Sequence, residues 1–120
     1  MHNYEKLQIY QDAKILVRVI YKLTDTFPRH ELYGITSQIR RATVSVALNI
    51  AEGNIKSRKE CARFIDISSG SLLEVRVALQ ISRDLGYINL KDLDETSIQI
   101  DNLFRQLMSF RNYLRTIAGT

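Results

Sequence analysis

The sequence predicts an all-α protein, an antiparallel up-down four-helix bundle in a single domain spanning residues 1–120. Three observations lead there. Apolar residues recur at spacings of three and four along most of the chain, the period of a helix with one buried face. Five glycines and one proline leave few places to turn, which favours a few long elements. Four such segments joined by short connections pack most easily as an up-down bundle.

The first helix, over about 5–27, carries Ala13, Leu16, Ile20, Leu23 and Phe27 on one stripe. It stops at Phe27-Pro28, because a residue before proline disfavours the helical region. The second, over about 31–53, aligns Leu32, Ile35, Ile39, Ala42, Val46, Ile50 and Gly53. Gly53-Asn54 is a plausible stop. The third, over about 57–86, opens on Ser57-Arg58-Lys59-Glu60, which fits a capping box: the serine oxygen accepts from the Glu60 amide while Glu60 reaches back. Its stripe is Cys61, Phe64, Ile65, Ser68, Leu72, Val75 and Leu79. Ser68-Ser69-Gly70-Ser71 is its internal weak point, although the stripe keeps phase across it. The fourth, over about 90–117, starts at Asn89 and Asp92 and follows Leu93, Ile100, Leu103, Leu107, Phe110, Leu114 and Ile117. Its acids come first and its bases last, as the helix dipole prefers.

The middle helices have apolar residues to spare. On the second, Val44, Leu48, Ala51 and Ile55 fall roughly opposite the main stripe. On the third, Leu73, Val77 and Ile81 lie away from it. A bundle helix needs one buried stripe, and surplus apolar surface marks an interaction site. Self-association through the second and third helices is therefore expected. Between the two faces of the second helix runs a polar strip of Gln38, Arg41, Ser45, Asn49 and Glu52, with Arg40 on the other flank of the second apolar face.

Charge is segregated. The chain carries a formal net charge of +4. Residues 40–63 hold Arg40, Arg41, Lys56, Arg58, Lys59 and Arg63 against Glu52 and Glu60, while residues 84–101 hold Asp84, Asp92, Asp94, Glu95 and Asp101 against Lys91. The basic block suits phosphate backbones or an acidic partner, or it is a solvated helix face. Lys56, Arg58 and Lys59, at a helix junction, are the better candidates for touching a phosphate. Arg40 and Arg41 suit subunit contacts to carboxylates such as Glu52 or Glu74.

Enzyme chemistry finds no purchase. A di-iron bundle needs Glu-x-x-His pairs, and neither His2 nor His30 has a glutamate three residues before it. Helical nucleases that pair arginine with a histidine a short spacer away do not match Arg29-His30. Of the paired acidic magnesium motifs of helical pyrophosphatases, only Asp92-x-x-Glu95 is present, where helix-start acids belong. Cys61 sits on a core stripe without a histidine to activate it. Ser45, Ser68 and Ser71 lack a nearby base, Gly53 and Gly70 are isolated, and the aromatics form no stacking ladder. The expectation is a non-enzymatic binding or assembly protein with no metal, no cofactor and no small-molecule substrate. One cysteine, no apolar leader and no run of about 20 apolar residues make the cytoplasm, not a membrane, the expected location.

Two segments, "YGITSQIRRATVSVALNIAEG" and "RFIDISSGSLLEV", resemble the four-helix-bundle family of 23S rRNA intervening-sequence proteins, which is related to the accessory variability proteins of diversity-generating retroelements. The likeness runs from the Tyr10 region through Tyr87, at Gln38, Arg40, Arg41, Asn49, Glu52, Gly53, Gly70, Ser71 and Glu74. Each piece alone is weak and the joint pattern is fairly specific. The resemblance implies an up-down bundle that assembles into a ring, typically a pentamer, and no catalytic site. For the retroelement relatives it implies a basic surface that binds nucleic acid and a reverse transcriptase. Family members often have proline where this chain has Ala47, so the second helix is expected to be straighter here. A ribonucleoprotein-associated module and a purely protein-binding scaffold are the two functional classes left standing.

Overall fold

The computed structural model describes residues 3–117. A 3-10 turn at Tyr4–Lys6 leads into α1 (Gln8–Thr24), and a second at Arg29–Glu31 precedes α2 (Ile35–Asn54). Two long helices follow, α3 (Arg58–Asp84) and α4 (Leu90–Ile117). At 1.5 Å per residue, α3 and α4 are each about 40 Å long, and they set the long dimension of a body measuring 47 × 24 × 20 Å. Among the described residues, α2 packs on α3, α3 on α4 and α1 on both α2 and α4, while the pairs α1/α3 and α2/α4 do not meet. Those two pairs are therefore the diagonals of a four-helix square. Connections of three and five residues after α2 and α3 force each helix to run back along its predecessor.

The core is built mainly from the stripes expected from the sequence. Leu16, Ile20, Ile39, Val46, Ile50, Ile65, Leu72, Val75 and Leu107 are wholly enclosed. Among the described residues, fully buried side-chain polar atoms other than Thr36 Oγ1 find hydrogen-bond partners. Thr43 donates to the Ile39 carbonyl and Ser82 to that of Ala78, both at 2.8 Å. Ser68 donates across to the Val46 carbonyl at 2.7 Å, tying α3 to α2. Ser69 donates to the Ile65 carbonyl within α3. The Ser68–Ser71 segment thus leaves α3 unbroken. Its hydroxyls find acceptors without taking the backbone out of the helix. α2 is equally uninterrupted at Ala47, which is buried.

Helix ends differ from expectation at the start of the chain. α1 stops at Thr24, not Phe27, and α2 begins at Ile35, not residue 31. Thr24 and Thr26 donate to the Ile20 and Leu23 carbonyls and close the last turn early. The chain then bends through Phe27-Pro28. Since residues 29–31 form a 3-10 turn, Leu32 falls out of phase with α2 and is 47% exposed, although its spacing placed it on the core stripe. The chain before α1 is also divided, by an extended Leu7. α3 starts one residue late and ends two early, and α4 spans 90–117 as expected.

The caps follow sequence logic with one exception. Ser57 Oγ accepts from the Glu60 amide at 3.2 Å, but the Glu60 carboxylate turns to Arg63 at 3.2 Å instead of reaching back. Asn89 caps α4 by accepting from the Asp92 amide at 2.7 Å. Gly86 lies just past the end of α3, and its φ of +80° suits glycine. The Gly86 amide bonds the Arg83 carbonyl and the Tyr87 amide that of Ser82, a paired closure of the last carbonyls. At the other end of the α2/α3 pair, Gly53 permits close approach. A Cβ there would lie 2.8 Å from Cβ of Phe64 and 3.3 Å from Sγ of Cys61.

Candidate interaction surfaces

Arg40 is occupied within its own chain. Its Nε donates to Thr24 Oγ1 at 2.9 Å, and its Nη2 to the Tyr21 carbonyl at 3.3 Å and to Asp25 Oδ1 at 2.9 Å. The guanidinium lies 4.6 Å from the centre of the Tyr21 ring. A cation at the last carbonyls of α1 is where the helix dipole favours one. The packing of α1 against α2 thus gives the Arg40 guanidinium partners within its own chain.

Arg41 is different. It is exposed and has no hydrogen-bond or ion-pair partner among the described residues. It lines a polar groove of about 540 Å³ between α2 and α3, together with Tyr33, Ser37, Gln38 and Glu74. Arg41 and Glu74 face the same groove without pairing, and Tyr33 is 94% exposed at its mouth. Farther along the strip, Ser45 meets Ser71 of α3 at 3.0 Å, and Asn49 donates to the Ser45 carbonyl at 2.8 Å. Glu52 is exposed and unpaired among the described residues.

Lys56, Arg58 and Lys59 cluster at the turn from α2 into α3, all exposed and all without a partner among the described residues. Lys56 follows the C-terminus of α2, where positive charge is favoured. Arg58 and Lys59 occupy the first turn of α3, where the helix dipole disfavours it. The same turn presents backbone amides that have no acceptor within the helix. Arg63, one turn on, is held by Glu60 and lies 4.9 Å from the Phe64 ring centre. Its charge is thereby partly spent.

Sequence reasoning missed two further arginines at this end of the bundle. Arg111 and Arg115 of α4 converge on Asp66 of α3, at 3.1 and 2.7 Å. One carboxylate facing two guanidinium groups leaves a positive balance beside the α2–α3 turn. The signal was an acid on α3 facing bases late on α4, but reading it requires the α3/α4 register. At the opposite end, Tyr87 donates to Glu31 Oε2 at 2.8 Å and its ring packs 5.5 Å from that of Phe27. This hydrogen bond, with burial and the charge of Glu31 beside it, pushes the Tyr87 hydroxyl above its ordinary value of 10.0. Burial likewise raises the Cys61 thiol, so the chain's single cysteine is a packed core residue.

The surplus apolar residues do reach solvent, on two separate sides. Val44, Leu48 and Ala51 line a groove of about 450 Å³ between α1 and α2, with Tyr10, Val17 and the cations Lys14 and Arg18. Ile55, 48% exposed, lies just past the end of α2. Leu73, Val77 and Ile81 run along α3, at 57, 44 and 46% exposure. Leu73 and Val77 line two further grooves, an apolar one with Ile35, Ala78 and Ile81 beside the polar α2–α3 groove and one with Ile100 and Phe104 between α3 and α4, and so stand between the two.

Among the described residues no group of three or more histidine, cysteine or acidic side chains is placed to hold a metal, and no helix is long and apolar enough to cross a membrane. A family model described as 23S rRNA-intervening sequence protein matches residues 5–109. No curated protein matches the chain in a direct sequence comparison.

Proposed function

Because the chain belongs to the 23S rRNA-intervening sequence protein family, we propose that it is a non-enzymatic, cytoplasmic, self-assembling helical bundle that binds structured RNA through one end. The observation that carries the binding reading is the unpaired triad Lys56, Arg58 and Lys59 at the α2–α3 turn. Two exposed cations in the first turn of a helix work against the dipole. An anion laid across that turn reverses the penalty, because the amides and the side chains then act together. Arg63, Arg111 and Arg115 extend the same end, whereas Arg40 is committed to α1. Arg41 belongs to the groove it shares with Glu74. Support for self-assembly comes from the exposed residues Leu48, Leu73, Val77 and Ile81. The family resemblance points to a ring, typically of five subunits, and to a nucleic-acid enzyme such as a reverse transcriptase as a further partner.

A gel-shift titration against a structured RNA at two salt concentrations tests the binding. Affinity is expected to fall steeply with salt, because each neutralised phosphate releases counterions. Replacing Lys56, Arg58 and Lys59 by glutamine is expected to flatten the log–log salt slope by roughly one for each phosphate no longer neutralised. Absence of any shift at low salt with folded protein overturns the RNA reading. It would favour a scaffold that uses the apolar faces alone, the second reading that the exposed stripes support.

A further inference from the structure

The polar groove between α2 and α3 holds opposite charges that do not meet. Ser45 and Ser71, both half-buried, touch across it at 3.0 Å. Because the two helices run antiparallel, one turn before Ser45 on α2 is level with one turn after Ser71 on α3. Arg41 and Glu74 occupy those positions, on opposite walls of a space of about 540 Å³. Neither has a hydrogen-bond or ion-pair partner among the described residues. The side-chain amide of Gln38, next along the α2 wall, has none either. Asn49 donates to Ser45 Oγ at 3.0 Å. The Ser45–Ser71 contact then uses one hydroxyl proton and leaves the other to donate outward. Tyr33 stands at the mouth, 94% exposed.

A groove of this volume is in the range that holds a small organic ligand, and its charges select among ligands. A phosphate drawn to Arg41 meets Glu74, and a lone ammonium group drawn to Glu74 meets Arg41, so a ligand of one sign gains little from the pair. A ligand that carries both charges satisfies both walls. A peptide group between those charges finds at Gln38 an amide that both donates and accepts, and at the serine pair a hydroxyl donor. We propose that this groove binds a short zwitterionic peptide of dipeptide size, with its carboxylate on Arg41, its ammonium on Glu74, its amide against Gln38 and its side chain against the Tyr33 ring. The planar guanidinium suits a carboxylate in two-pronged contact, and the Tyr33 ring suits an aromatic side chain. Arg41 is about four helical turns from Lys56, so the site stands apart from the cationic α2–α3 turn and does not depend on the RNA reading.

Glycyl-tyrosine is the probe, titrated into isotopically labelled protein and followed by backbone amide shifts in NMR. Saturable shifts centred on residues 33–45 are expected. Two charge-assisted contacts in an open groove set the expected dissociation constant at about 1 mM. Blocking either end, as N-acetylglycyl-tyrosine or as glycyl-tyrosinamide, is expected to weaken binding roughly tenfold. Arg41 and Glu74 are both exposed, so the variants Arg41→Gln and Glu74→Gln keep their helix content by circular dichroism. Arg41→Gln is expected to bind glycyl-tyrosine no better than its amide, and Glu74→Gln to bind it no better than its N-acetyl form. A wild type without saturable shifts overturns the proposal, as do blocked peptides that bind as well as the free one. Variants that discriminate between free and blocked peptides as wild type does overturn it too. RNA binding through Lys56, Arg58 and Lys59 is read from the gel-shift salt slope and stands or falls separately.

Discussion

Replacing Gly53 with alanine sets a methyl group where α2 and α3 come too close to hold one. Its Cβ would lie 2.8 Å from Phe64 Cβ and 3.3 Å from Sγ of Cys61. Phe64 Cβ is bonded directly to the backbone of α3, so relief means moving the helix and not the end of a flexible chain. Overpacking of this kind costs roughly 1–3 kcal/mol. Alanine returns about 0.5 kcal/mol over glycine, at the low end because Gly53 is in the last turn of α2. The net loss is about 0.5–2.5 kcal/mol. With an unfolding entropy of about 2.1 cal/mol/K per residue over the chain, 1 kcal/mol moves Tm by roughly 4 °C, so a fall of about 2–10 °C is expected. Gly70→Ala is the control. It lies mid-α3, and a Cβ there meets nothing within 4 Å. Helix propensity alone then predicts a rise of about 1 kcal/mol, near 4 °C. Both are measured by thermal melts in the Leu48→Asp background, so that association does not enter. Shifts in the same direction for the two glycines refute the reasoning, since propensity without close packing would move both upward.

Arg40→Ala is expected to cost about 1–2 kcal/mol, read by urea unfolding. The hydrogen bonds to Thr24 and the Tyr21 carbonyl carry most of it, because Asp25 is 76% exposed and its ion pair is screened. The same variant is expected to leave the salt slope of RNA binding unchanged. Thr36→Val removes a buried hydroxyl that has no hydrogen-bond partner and is expected to stabilise the chain by about 1 kcal/mol in the same assay. Tyr87 carries a raised pKa in the folded state, so the folded chain holds its proton longer than the unfolded one. Its contribution is complete below the unfolded value of 10.0 and is lost as pH climbs through the higher folded value. The urea midpoint of wild type is expected to fall faster than that of Tyr87→Phe above pH 10.0, and parallel curves would contradict the Glu31 hydrogen bond.

The bundle was readable because its stripes keep a 3.6-residue period over about four to seven turns, and Ala13, Leu16, Ile39, Val46, Leu72 and Leu103 all proved buried. The connection from α1 to α2 was not readable. Its boundaries depend on side-chain hydroxyls of Thr24 and Thr26 closing a helix early and on a 3-10 turn that shifts the phase of Leu32. Surplus apolar residues were legible from spacing alone, and Leu48, Leu73, Val77 and Ile81 are exposed as expected. That they fall on two sides of the bundle was not, since it depends on which helices are neighbours. Arg40 shows the same limit. Spacing placed it beside the second apolar face, but its partners Tyr21, Thr24 and Asp25 belong to α1 and the turn after it, and are reached through tertiary packing. Asp66 with Arg111 and Arg115 joins residues more than forty positions apart. No local pattern marks such a pairing.

The proposed self-association covers the exposed apolar residues Leu48, Leu73, Val77 and Ile81 of α2 and α3 with further copies of the chain. Sedimentation equilibrium of the unmodified chain at micromolar concentration measures this directly. A mass that is a whole-number multiple of 13.9 kDa, two or greater, is the expected result. A mass of 13.9 kDa across the whole concentration range would contradict it.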